Sequence, residues 1–173
     1  MVSSPLTDLK FPTGFATADL DEDAWAVRYF VERGLELLCV QSFSKNFGLY
    51  GERIGNLIMV AKSNKNFPGI RSHLLTIIRA IYLTPPSHGA RIVTKVLSSP
   101  DLRAEWEANV KTMANRIIEM RKALRSELEK LNTPGDWSHL TTQTGMFSYS
   151  CLTGNYIWLF DFGPDHSMVQ DRS

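Results

Sequence analysis

Residues Leu35 to Lys62, LELLCVQSFSKNFGLYGERIGNLIMVAK, decide how this chain is read. The opening run, LELLCVQS, is short and apolar and is bounded by Gly34 and a polar turn, which predicts a buried strand. KNFGLYG reads as a loop, and RIGNLIMVAK as a second strand. A single lysine, Lys45, stands where the first strand gives way to the loop, and Arg53 follows eight residues on. On spacing alone such a lysine is a solvated charge at a turn. Two chemical readings stand beside that one.

Helices surround the strand–loop–strand unit. Upstream, DLDEDAWAVRYFVERG carries acidic residues in its first turn, apolar residues at helical spacing and Gly34 as a stop, which predicts one helix. Residues 1 to 14 read as irregular, punctuated by Pro5, Pro12 and Gly14. Downstream, Phe67 to Tyr82 has a helical pattern that stops before Pro85 and Pro86, and GARIVTKVLSS is a short helix ended by Pro100. From Asp101 to Leu131, residues Leu102, Trp106, Val110, Met113, Ile117, Leu124, Leu128 and Leu131 recur at three- and four-residue steps. A helix of that length often runs between domains. The tail after Ser150 holds the aromatic run NYIWLFDF, which reads either as a strand or as a segment that packs poorly. Two strands among helices imply part of an α/β layer structure, with the rest of its sheet not visible.

Composition narrows the function classes. The chain has 173 residues, is 43% hydrophobic and 21% charged, and carries a formal net charge of +1. No global field favours nucleic acid or an anionic membrane. No apolar run approaches the roughly 20 residues that span a bilayer. Cys39 and Cys151 follow no metal-ligand spacing, and Cys39 sits in an apolar run where a buried free thiol is expected. These features predict a cytoplasmic protein without nucleic-acid or membrane partners.

SFSK fits S-x-x-K, the serine and lysine of penicillin-binding enzymes, but the partner motifs S-D-N and K-T-G are absent. The other chemical reading is a Schiff-base lysine. An amine attacks an aldehyde only after losing its proton, and burial or a nearby cation assists that loss. A phosphate-bearing cofactor also needs arginine and hydroxyl donors, and Ser42, Ser44 and Arg53 lie within the same unit. Gly48 and Gly51 would let the backbone turn closely around a ligand.

SFSKNFGLYGERIGNL closely resembles the lysine motif of the aspartate aminotransferases, class I enzymes that use pyridoxal 5'-phosphate. The likeness extends through GFATADLDEDAWAVRYFVERG, TPPSHGARIV, EWEANVKTMANRIIEMR and GDWSHLTTQTGMFSY, from about Gly14 to Tyr149. SFSKNF and GMFSY resemble the cytosolic branch. The resemblance implies a partial PLP-dependent transferase fold, with part of the large-domain sheet and a long interdomain helix. It implies transamination between L-aspartate and 2-oxoglutarate, on small amino-acid and 2-oxo-acid substrates, in a homodimer.

Residue by residue, Lys45 matches the lysine that forms the Schiff base and carries the proton. Ser42 and Arg53 match the serine and arginine that hold the cofactor phosphate. Arg79 matches the arginine that reaches across the dimer to the substrate's side-chain carboxylate; alone it would read as a surface arginine.

Departures accompany the match. The family's ring-stacking tyrosine falls at Pro12 and its pyridine-nitrogen aspartate at Leu9, with Asp8 one residue away. A serine after Arg79 is replaced by Leu83, and no counterpart of the arginine for the α-carboxylate follows Ser150. The expected organisation is therefore that of a truncated member: a divergent segment at 1–13, part of the cofactor-binding domain at 14–100, the interdomain helix and start of the small domain at 101–150, and a dissimilar tail at 151–173. The expected activity of such a chain is weak or absent. The alternative is a non-catalytic fragment that pairs with, or inhibits, a full-length subunit.

Overall fold

The computed structural model describes residues 7–10 and 14–151. A three-stranded sheet, in the order β1-β2-β3, is built from β1 (Thr7–Lys10), β2 (Leu37–Ser42) and β3 (Gly55–Val60). Strand β2 lies in the middle, parallel to β1 and antiparallel to β3. The predicted strand–loop–strand unit is thus a hairpin, and Leu37 pairs with Val60 at one end and Ser42 with Gly55 at the other.

Strand β1 corrects the expectation that residues 1–14 are irregular, and it adds a third strand to the two read from the sequence. Thr7 to Lys10 pair in register with Leu37 to Val40. TDLK has no alternation of its own, so its strand conformation comes from the edge that β2 offers. The tail NYIWLFDF lies outside the described residues, as do Pro5 and Pro12.

Between β1 and β2 the predicted single helix is two, α1 (Leu20–Asp23) and α2 (Trp25–Glu32). Ala24, at φ −82° and ψ 0°, separates them. Asp19 caps α1, its carboxylate accepting from the N–H groups of Asp21 (2.8 Å) and Glu22 (3.0 Å). Those bonds hold the Asp19 carboxyl below the usual carboxylate range. Asp23 reaches back instead, accepting from the N–H groups of Gly14, Ala16 and Thr17 at 2.6 to 3.0 Å. Gly34, at φ +67°, ends α2 as expected, and the Leu35 N–H returns to the Phe30 carbonyl.

After the hairpin come α3 (Phe67–Ile81), α4 (His88–Ser98), α5 (Pro100–Lys130) and the short α6 (His139–Thr142). Pro100 is the first residue of α5, where its missing N–H costs nothing. At 31 residues, α5 runs for roughly 45 Å at 1.5 Å per residue. The apolar stripe read from its sequence is only partly covered. Val110 and Ala114 are buried, whereas Leu124 and Leu131 are 51% and 75% exposed.

Helix α5 passes against the segment that begins at Gly14. Phe15, Leu37 and Val110 are fully buried. Gly14, at φ +93°, lies so close to Val110 that a Cβ would collide with its side chain. Burial also pushes the Cys39 thiol up from its ordinary value. By contrast α3 buries none of its residues, although Leu75, Ile77 and Ile81 recur along it.

Leu37→Ala should lower the unfolding free energy by about 2–5 kcal/mol, read from urea denaturation. Leu124→Ala should change it by less than about 0.5 kcal/mol. Equal effects at both positions would refute this assignment of the core.

Candidate functional site

The loop between β2 and β3 is held at its neck and folded back on itself. The Phe43 N–H donates to the Ile54 carbonyl at 3.1 Å, and the Gly48 N–H to the Lys45 carbonyl at 3.1 Å. Gly48 has φ +65°, as a turn at that point requires. The loop is then clamped to α5. The Trp106 indole N–H donates to the Asn46 carbonyl at 2.7 Å. Its ring stacks on Phe47 with 4.6 Å between centroids, and Phe43 meets Phe47 edge-on at 5.3 Å. Asn46 is buried between these groups.

Lys45 sits beside this clamp, half-buried. Its Nζ lies 4.3 Å from the centroid of the Tyr50 ring and 5.7 Å from that of Phe147. Both distances suit cation–π attraction. Ser42 is exposed at the end of β2, and its Oγ accepts from the Ser44 N–H at 3.2 Å, which leaves the hydroxyl hydrogen free to point outward. Arg53 is exposed with φ +50°, and its Nη1 donates to the Tyr50 carbonyl at 3.2 Å. Tyr50 therefore touches both predicted cationic residues, one through its ring and one through its backbone.

Lys45, Ser42 and Arg53 belong to one hairpin; Arg79 does not. Arg79 is exposed in the last turn of α3, and no hydrogen bond or ion pair joins it to the hairpin among the described residues. Leu83, which the resemblance sets in place of a serine, has φ +63° and is 64% exposed. Leu9 pairs with Cys39 in the β1–β2 ladder, and Asp8 with Leu38.

Sequence reasoning gave no role to Tyr50, Trp106 or Phe147. Tyr50 had a usable signal, an aromatic residue five positions from the lysine in the same loop. Trp106 and Phe147 lie 61 and 102 residues from Lys45, and no local pattern could place them.

The donor set suits a phosphate-bearing aldehyde. The exposed guanidinium of Arg53 spends one N–H on Tyr50, and its others have no partner among the described residues. The Ser42 hydroxyl and the Lys45 amine belong to the same hairpin, and among the described residues the amine meets aromatic faces. Such a set offers phosphate donors and a carbonyl-reactive nitrogen on one loop.

The family model for aminotransferase class I and II matches residues 13–167. The chain belongs to that family. It is 58% identical over 139 residues to the cytoplasmic aspartate aminotransferase of Gallus gallus, covering 80% of this chain and 34% of that protein. Among solved structures, the cytoplasmic aspartate aminotransferase of Saccharomyces cerevisiae superposes with a TM-score of 0.80 at 42% identity, over 89% of this chain and 39% of that one. An aromatic-amino-acid aminotransferase from Burkholderia pseudomallei, covalently bound to pyridoxal phosphate, gives a TM-score of 0.82 at 39% identity, over 92% of this chain and 40% of that one. The chain thus spans about a third of the length of the curated relatives it matches. Its fold is part of the PLP-dependent transferase fold, as the motif implied. No helix among the described residues is long and apolar enough to cross a membrane.

Trp106→Phe keeps a ring to stack on Phe47 but leaves the Asn46 carbonyl without its donor. It should destabilise the chain by about 1–3 kcal/mol in urea denaturation. Stability equal to wild type would remove the indole hydrogen bond from the description of the clamp.

Proposed function

We propose that this chain carries the lysine and phosphate-binding portion of an aspartate aminotransferase site. The parent activity is transfer of an amino group between L-aspartate and 2-oxoglutarate, in a cytoplasmic homodimer. One observation carries the reading. Lys45 projects from a loop flanked by Ser42 and Arg53, in a chain 58% identical to a cytoplasmic aspartate aminotransferase over 139 residues.

On this reading Lys45 would hold the aldehyde end of pyridoxal 5'-phosphate through its Nζ, and Ser42 and Arg53 would hold the phosphate. When bound, the pyridine ring supplies an electron sink for the substrate's α-carbon. Lys45 would then serve as the amine that takes up and returns a proton during the transfer. Arg79 supplies a guanidinium for the second carboxylate of aspartate or glutamate. Burying that carboxylate unpaired would be costly, so the arginine favours dicarboxylic substrates. In the domain division that goes with this reading, residues 14–100 belong to the cofactor-binding domain and 101–150 to the helix that leads into the small domain. Leu9 stands where the family has the aspartate that keeps the pyridine nitrogen protonated, so turnover by this chain is weak or absent.

Purified chain mixed with pyridoxal phosphate should develop the absorption band of a lysine-bound cofactor, and Lys45→Ala should lose it. Ser42→Ala and Arg53→Met should each weaken binding on the order of tenfold. A band that persists in Lys45→Ala would defeat the assignment. Turnover of aspartate and 2-oxoglutarate at the rate of a full-length relative would defeat the claim of weak activity.

A second reading has its own observation. Helix α3, which bears Arg79, buries none of its residues and exposes Leu75, Ile77 and Ile81. A chain with that face pairs with a full-length subunit as a non-catalytic partner. Co-expression should then give one mixed species on size exclusion, with reduced activity. Two separate peaks and undiminished activity would rule it out.

A further inference from the structure

We infer that Arg121 is a positioning residue for Lys45 and acts through Phe147. This rests on the proposed reading for its purpose, the placement of a reactive amine, but its geometry stands alone. Arg121 lies on α5, fifteen residues beyond the Trp106 clamp. Its guanidinium collects three backbone carbonyls from one stretch of chain. Nη1 donates to Gln143 at 2.6 Å, and Nη2 donates to Gly145 and to Phe147, each at 2.8 Å. The planar fork of arginine is suited to fixing several acceptors at once. Arg121 forms no ion pair among the described residues, so these carbonyls are its partners.

The stretch they hold has no regular secondary structure. It closes on itself through Gln143, whose Oε1 accepts from the Tyr149 N–H at 2.7 Å and from the Ser148 hydroxyl at 3.0 Å. Phe147 sits within that closed turn and is 75% exposed. Side-chain burial therefore does little to hold the ring; the clamp fixes the backbone from which it projects. The ring so placed is 5.7 Å from the Lys45 Nζ, and Tyr50 lies 4.3 Å from the same atom. Lys45 forms no ion pair among the described residues, so the two aromatic faces are its partners. Helix α5 thus acts on the lysine at two points. Trp106 seats the loop that carries it, and Arg121 sets one of the rings that hold its ammonium.

The test uses the whole chain and a reagent that needs no cofactor site. Limited reductive methylation with formaldehyde and cyanoborohydride, followed by peptide mass spectrometry, gives the labelling of Lys45 relative to Lys122 and Lys95. Both reference lysines are exposed, and Lys122 adjoins Arg121. Loss of one ring should raise the Lys45 ratio about two- to fivefold, the scale of an exposed cation–π contact. That rise is expected in Phe147→Leu, in Arg121→Met and in Arg121→Lys, which keeps the charge but not the fork. Phe147→Tyr, which retains a ring, should restore the wild-type ratio. Because Arg121 acts through Phe147, the double variant Arg121→Met with Phe147→Leu should match the larger single change. The proposal is overturned if both Arg121 variants leave the ratio at the wild-type value, or if the two effects multiply in the double variant. An absent pyridoxal phosphate adduct would count against the reading of the site and leave this measurement intact.

Discussion

The hold of Trp106 on the hairpin loop is the contact on which the rest of the site depends. A loop of twelve residues between two strands has little reason to keep one shape, because its backbone groups can be satisfied by water. Here the indole N–H fixes the Asn46 carbonyl at 2.7 Å, and the indole face covers Phe47. Asn46 and Phe43 are buried as a result. Asn46 Oδ1 is buried with no partner among the described residues. Lys45 is the residue before Asn46, so its backbone position follows from the clamp.

The faces that the described structure leaves uncovered have the character of interior surfaces. Strand β3 exposes Leu57 and Ile58, which are adjacent and therefore point to opposite sides of the sheet. Apolar residues on both faces belong to a strand meant to be covered twice. Helix α3 repeats the pattern, with apolar residues at helical spacing and none buried. The matched relatives are about three times as long as the span aligned with this chain.

Most elements were legible because they obey local rules. Strands β2 and β3 announce themselves as short apolar runs, and Gly34 stops α2 where its positive φ requires a residue without a Cβ. The span of α5 was legible, but its burial was not. Periodicity marks an apolar stripe and says nothing about what lies opposite it, so Leu124 and Leu131 belong to the stripe and are nonetheless exposed. Strand β1 was invisible because TDLK becomes a strand only by pairing with Leu37 to Val40. The break at Ala24 was equally hidden, since nothing local shows that Asp23 turns back toward Gly14. For the candidate site, the sixteen-residue motif brought Lys45, Ser42 and Arg53 forward together, and the structure keeps them on one hairpin. Of the two rings at the lysine, Tyr50 was legible in the loop and was passed over, whereas Phe147 comes from 102 residues away and has no signature in spacing.

The ladder that revealed β1 also bears on the weakest part of the proposed chemistry. Asp8 is one residue from the position where an acid would serve the pyridine nitrogen. Bringing Asp8 opposite Cys39 would require all four pairs from Thr7↔Leu37 to Lys10↔Val40 to slip together. The register that places Leu9 beside Cys39 therefore works against recruitment of Asp8. On the proposed reading, the chain keeps the amine and the phosphate donors that capture an aldehyde. It lacks, at that position, the acid that would make the captured ring an efficient electron sink.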